Sequence, residues 1–237
     1  MRSGLSSEAA PDASLAGLLD SAQRHGLSAL ELRAGDGHGL SGKAAAAAVS
    51  AALEAAASSG VAITAYRDTG ADSIADLVSL AGLLGCPVLV ELESGDASAA
   101  LDRALHLKSA GVRSAITLRG ESSLPEAEVA RANGLDVAWV ADPSQEHVGT
   151  AAARLLASHA DHLVSVRLLG GGPESVMHEG RGVGELMGRL ALAGFGGAVV
   201  LAPSSRKFHV IWTTWLGRRG GFGCGSKASD DSLVSLG

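Results

Sequence analysis

The chain has 237 residues, 46% of them hydrophobic and only 3% aromatic, with 32 glycines and a formal net charge of −6. That length suits one sizeable core, and the acidic balance argues against a nucleic-acid partner, whose phosphates call for a basic surface. Two cysteines, Cys86 and Cys224, make no disulfide framework; with no signal-peptide stretch in MRSGLSSEAAPDASLAG and no window of roughly 18 uncharged apolar residues, a cytoplasmic protein without a membrane partner is expected.

Short apolar runs recur at near-regular intervals: RSGLS (2–6), SALELR (28–33), VAITAYR (61–67), PVLVELE (87–93), SAITLRG (114–120), LDVAWVAD (135–142), HLVSVRLLG (162–170) and GAVVLAPS (197–204). Helical segments rich in alanine, leucine and charge separate them, at 14–25, 42–59, 72–84, 96–110, 125–133, 145–158 and 183–193. Several of these segments end in glycine just before the next strand, as at Leu84-Gly85 and Ala110-Gly111, which is a helix stop followed by a strand start. Strict alternation implies a parallel sheet with right-handed crossovers. Eight such units predict an α/β fold, a single (β/α)8 TIM barrel over residues 1–217; a doubly wound open sheet is the alternative. FHVIWTTWL places Phe208, Ile211, Trp212 and Trp215 on one face of a closing helix, and the glycine-rich stretch 218–237 reads as a tail without periodicity.

Alternation along a strand sorts side chains between barrel axis and helix layer. In the seventh run Val164, Val166 and Leu168 are assigned to the helix layer, which turns Ser165 and Arg167 inward. The same rule sends Glu31 and Arg33 inward from the second run, Glu91 and Glu93 from the fourth, Arg119 from the fifth and Asp142 from the sixth. The third run offers Tyr66. All lie at C-terminal strand ends, the face that carries active sites in barrels of this kind. An ion-pair network that only satisfies itself is the bland alternative, but buried charge is costly and a purely structural barrel can use valine and leucine there.

Phosphate and other anions often bind backbone N–H groups after strands 7 and 8 of a barrel. Gly170, Gly171 and Gly172, with Ser204, Ser205, Arg206 and Lys207, stand there and are candidate anion binders; a merely flexible glycine-rich loop explains them equally well. GRGVGELMG, at 180–188, lies too far beyond its strand for a dinucleotide fingerprint and reads as a helix start. His25, His106 and His159 fall on helix surfaces or ends, whereas His38 follows the second strand on the candidate face and His178 is a candidate lid residue.

SLAGLLDSAQRHGLSALELR (14–33), ADSIADLVSLAGLLGCPVLVE (71–91), VAWVADPSQEH (137–147) and EGRGVGELMGRLALAGFGGAVVLAP (179–203) resemble the xylose-isomerase-like TIM barrels, the sugar phosphate isomerase/epimerase group. The resemblance implies a divalent metal held by a Glu on strand 5, an Asp on strand 6, a His or Gln on strand 7 and a Glu on strand 8. By position Asp142 matches the Asp, while Arg119, Arg167 and Ala202 stand where the other three would be. A hard cation needs oxygen or imidazole donors and is repelled by guanidinium groups. No metal and no other cofactor is therefore expected, with Arg119 and Arg167 supplying the positive charge.

Two readings follow. One is a metal-independent isomerase or epimerase acting on a small sugar, polyol or sugar acid, phosphorylated or not, by proton transfer next to a carbonyl. Its candidate acid–base groups are Glu91, Glu31, His38 and Asp142, and its candidate substrate contacts are Arg33, Tyr66, Glu93, Arg119, Arg167 and the two anion-binding stretches. The other is a non-catalytic barrel that binds a small anionic ligand or a protein. A homo-oligomer is compatible with either.

Overall fold

In the computed structural model, residues 1–91, 97–120, 124–142, 148–170 and 176–203 are described. Strands and helices alternate along them: β1 (Arg2–Ser6), α1 (Leu15–Arg24), β2 (Ala29–Arg33), α2 (Ala46–Ser58), β3 (Ala62–Asp68), α3 (Ile74–Leu84), β4 (Val88–Glu91), α4 (Ala97–Ser109), β5 (Ser114–Arg119), α5 (Leu124–Ala132), β6 (Asp136–Ala141), α6 (Val148–His159), β7 (Leu163–Gly170), α7 (Val176–Leu192) and β8 (Ala198–Pro203). All neighbouring strands pair in parallel and in sequence order, and β8 returns to β1, so the sheet is a closed barrel rather than the open alternative. Among the described residues no helix is long and apolar enough to cross a membrane. Trp212, Trp215 and the stretch 218–237 lie outside the described residues.

Local chemistry sets the element ends. Ser14 and Ser73 sit in extended backbone before α1 and α3, and their hydroxyls accept from the N–H groups of Gly17 and Asp76. At the other end of α3, Gly85 adopts φ +65°, a left-handed conformation that turns the chain directly into β4. α7 begins at Val176, which places GRGVGELMG inside the helix and not at its start. His178 belongs to the same helix, so it does not stand in a long loop.

The core has two shells. Outside the sheet, Leu30, Leu32, Val88, Val90, Leu118, Trp139 and Val166 pack against helical leucines such as Leu18, Leu77, Leu107 and Leu190. Inside, the lower barrel is floored by small side chains: Ala65, Leu89, Ala115 and Ala138 form one cluster, and Ala29, Ala198 and Val200 another. Two register shifts interrupt the ladders, one with Thr64 as the extra residue of β3 and one with Val164 as the extra residue of β7. The second corrects an expectation, because Val164 packs against the inner cluster instead of the helix layer.

β1 runs close to β2 at Gly4. A Cβ there would lie 2.7 Å from the Ala29 carbonyl oxygen and 2.8 Å from the Ala29 Cβ. Gly4→Ala is therefore expected to destabilise the barrel by about 1–3 kcal/mol through overpacking. The check is a lower midpoint in urea unfolding; an unchanged midpoint would show that β1 and β2 part without cost.

Candidate active site

Above the alanine floor the barrel axis becomes ionic. β2 delivers Glu31, β3 Arg67, β4 Glu91, β5 Arg119 and β7 Arg167; Arg67, Glu91 and Arg119 stand at or next to the C-terminal ends of their strands, and Glu31 and Arg167 lie within theirs. Arg167 donates to Glu31 Oε1 from Nη2 at 2.6 Å and from Nε at 3.0 Å, and to Glu91 Oε1 from Nη1 at 3.1 Å. Arg67 donates from Nη1 to the same Glu91 oxygen at 2.9 Å, and its Nη2 lies 2.8 Å from Glu8 Oε2. Arg119 Nη2 stands 3.5 Å from Glu91 Oε1. Three guanidinium groups thus converge on one carboxylate oxygen.

Burial divides the cluster into an inner and an outer part. Glu31, Arg67 and Arg167 are 0%, 1% and 3% exposed, whereas the side chains of Glu91 and Arg119 are 16% and 57% exposed. Burial pushes the Glu91 carboxyl up, but Arg67, Arg167 and Arg119 outweigh it and hold the group below the usual glutamate range. Burial likewise disfavours the charged form of Arg167, and the carboxylates of Glu31, Glu91 and Glu8 more than compensate. Such a set persists because each buried charge is met by an opposite one. Among the described residues, Glu31 Oε2, Thr117 Oγ1 and Ser165 Oγ are buried without a hydrogen-bond partner.

Several expected site residues are placed elsewhere. Tyr66 faces the helix layer, not the axis; its hydroxyl donates to Asp72 Oδ2 at 2.9 Å, and burial followed by that bond pushes its pKa up. The extra residue at Thr64 is the cause, since it lets Ile63 and Tyr66 share the outer face although they are three apart. His38 lies 2.7 Å from the Arg33 carbonyl oxygen through Nε2, while its Nδ1 accepts from the Leu40 N–H at 3.1 Å. Both nitrogens are engaged by backbone, so His38 latches its own loop and has none left for acid–base work. Arg33 sits at the rim and pairs with Asp36 at 3.3 Å. Asp142 is half-buried just beyond β6, and Gly170 ends β7 opposite Pro203. Glu93, Gly171, Gly172, Ser204, Ser205, Arg206 and Lys207 lie outside the described residues.

Two members of the cluster escaped sequence reasoning. Arg67 was hidden by the register shift, although the small Ala65 two positions earlier marks the inner face. Glu8 comes from a short 3-10 turn (Ser7–Ala9) after β1, where no periodicity points. A part-buried clamp holds the residue after Arg67: Arg103 of α4 donates to the Asp68 carboxylate and to the Asp72 carbonyl, and Asp68 Oδ1 accepts from the Gly70 N–H at 2.8 Å. Among the described residues, no group of three or more His, Cys, Asp or Glu side chains could hold a metal ion.

No family model and no curated protein sequence matches the chain. Solved structures do match in fold. A xylose isomerase domain containing protein from Salmonella typhimurium superposes with a TM-score of 0.59 at 13% identity, over 90% of each chain. D-psicose 3-epimerase from Clostridium cellulolyticum gives 0.59 at 12% identity, over 93% of this chain and 92% of the other. An L-ribulose 3-epimerase gives 0.57 at 15% identity, over 96% and 89%. The chain thus shares the fold of the xylose-isomerase-like barrels.

Removing Arg167 would leave Glu31 buried with little compensation. Arg167→Met is expected to cost about 3–5 kcal/mol at neutral pH. Because the folded pKa of Glu91 is lowered, its contribution is present above the ordinary glutamate pKa of about 4.3 and is lost as pH falls through the folded value. The gap between wild type and variant, read by denaturant unfolding, should therefore narrow only in acid; a gap independent of pH would contradict the ionic account.

Proposed function

We propose that the protein is a sugar isomerase/epimerase-like enzyme that moves a proton on the carbon next to a carbonyl of a small sugar or sugar acid, and does so without a metal. The observation that carries this reading is Glu91: an ionised carboxylate at the barrel mouth, clamped on one oxygen by Arg67 and Arg167 and flanked by the accessible guanidinium of Arg119. The likeness to two sugar 3-epimerases supports the substrate class.

In this mechanism Arg119 takes the substrate carbonyl oxygen and Glu91 removes the proton from the neighbouring carbon. Negative charge collects on the oxygen as the carbon loses its proton, and the guanidinium of Arg119 stabilises that enediolate by charge and hydrogen bonding. As Arg119 turns from Glu91 to the substrate, the carboxylate loses one of the charges that hold its pKa down, so its basicity rises when the proton must be taken. Delivery of a second proton to the opposite face by the carboxylic acid form of Asp142, while Glu91 keeps the one it took, gives an epimer. Return by Glu91 to the adjacent carbon, with the hydroxyl proton passed to the former carbonyl oxygen, gives the aldose–ketose isomer. Glu31 and Arg167 are positioning residues, being too buried to reach a ligand, and Arg67 is one as long as Glu8 covers it.

The metal that the resemblance implies does not fit the residues present. At three of its four positions stand Arg119, Arg167 and Ala202, and the carboxylates facing the axis already bind guanidinium groups. The second reading, a non-catalytic barrel, is favoured by one fact: the buried Arg67 and Arg167 find their counter-charges in the chain's own Glu8, Glu31 and Glu91.

Incubation in heavy water with a panel of ketoses, aldoses and sugar acids tests the proposal. The expected result is deuterium incorporation next to the carbonyl that survives chelation. Glu91→Gln should lower turnover about a hundredfold or more. Ligand-induced thermal stabilisation with no exchange on any member of the panel would favour the non-catalytic reading. Elemental analysis finding about one divalent metal per chain that Asp142→Ala removes would overturn metal independence.

A further inference from the structure

We propose that Glu8 decides the charge of the ligand this barrel accepts. It is a carboxylate of the chain itself, placed where an anionic substituent of a ligand would bind, so the site takes an uncharged polyhydroxylated ligand and turns away sugar acids. This rests on the proposed sugar site and narrows its substrate class.

Arg67 is the buried cation that an anionic ligand would seek. Its side chain is 2% exposed, and Glu8, 37% exposed, meets its Nη2 at 2.8 Å from the more open side. Among the described residues neither Nη2 nor Nε of Arg67 has a well-aligned hydrogen-bond acceptor, so Glu8 holds Nη2 by charge at a donor that an incoming carboxylate could otherwise take. The guanidinium groups of Arg67, Arg119 and Arg167 are matched one for one by the carboxylates of Glu8, Glu31 and Glu91. No positive charge is left over within that set.

The backbone that carries Glu8 is fastened in place. Ser7 Oγ donates to Asp36 Oδ2 at 2.5 Å and accepts from the Arg33 N–H at 2.8 Å, and the Gly37 N–H donates to the Pro11 carbonyl at 2.5 Å. A Cβ on Gly37 would stand 2.8 Å from the Asp12 carbonyl oxygen, so the two loops are in direct contact. Glu8 can leave Arg67 only by rotating its own side chain. Among the described residues, an anionic ligand meets two carboxylates, Glu8 and Glu91, whose partner cations are already matched, which is rejection by like charge. A hydroxyl both donates and accepts, so an uncharged polyol satisfies Glu8, Glu91 and Arg119 together.

The test compares two probes of nearly equal shape, sorbitol and gluconate, by calorimetric titration of the full chain at fixed ionic strength. Wild type should bind sorbitol more tightly than gluconate. In E8Q and E8A the gluconate-to-sorbitol affinity ratio should rise about tenfold or more, with added salt weakening only the gluconate binding. E8Q keeps the size of the side chain and carries the test if E8A does not fold. Gluconate binding in wild type as tight as in E8Q, or a ratio shifted less than about twofold, would overturn the proposal. Turnover of a sugar acid by wild type would overturn it while leaving the proposed reaction standing. The predicted selectivity without exchange on any sugar would do the reverse.

Discussion

Everything at the mouth of this barrel depends on the ion pair between Glu31 and Arg167 on its axis. A carboxylate with no exposure is tolerable only beside a fixed opposite charge, and Arg167 reaches it from β7 with two donors at 2.6 and 3.0 Å. Once Arg167 is held there, its remaining nitrogen faces Glu91, and that carboxylate in turn gathers Arg67 and Arg119. The cluster is a chain of obligations: each charge is stable because the next is in place.

The alanine floor and the ionic layer above it are two halves of one arrangement. Small side chains such as Ala65, Ala115 and Ala138 fill the lower axis without polar atoms. Long side chains from the layer above then cross the axis, and arginine suits that span because its planar fork can serve two carboxylates at once. Leu89 shares the floor while Glu91, two residues on, serves the mouth, so a single short strand contributes to both layers.

Depth separates support from chemistry. Glu31, Arg67 and Arg167 are sealed, and the clamp of Arg103, Asp68 and Asp72 holds the end of β3 next to Arg67. Glu91 and Arg119 stand at the boundary with solvent, where a ligand could replace one partner of an ion pair without exposing the rest. His38, a residue type that invites a catalytic role, is instead spent on its loop.

The closed barrel was legible in the sequence because its signals are local: eight alternating apolar runs, helical spacers, and glycines such as Gly85 at helix ends. Strand parity likewise turned Glu31, Glu91, Arg119 and Arg167 toward the axis, since alternation is a property of the backbone of a single strand. Parity failed at β3 and at Val164 for one reason: an extra residue at Thr64 or within β7 shifts the count, and such a shift arises from pairing with a neighbouring strand. Which carboxylate each arginine meets, and that Glu8 joins them from a turn remote in sequence, were decided only by tertiary structure. Ion pairing depends on distances across the barrel axis, and those exist only after the sheet has closed.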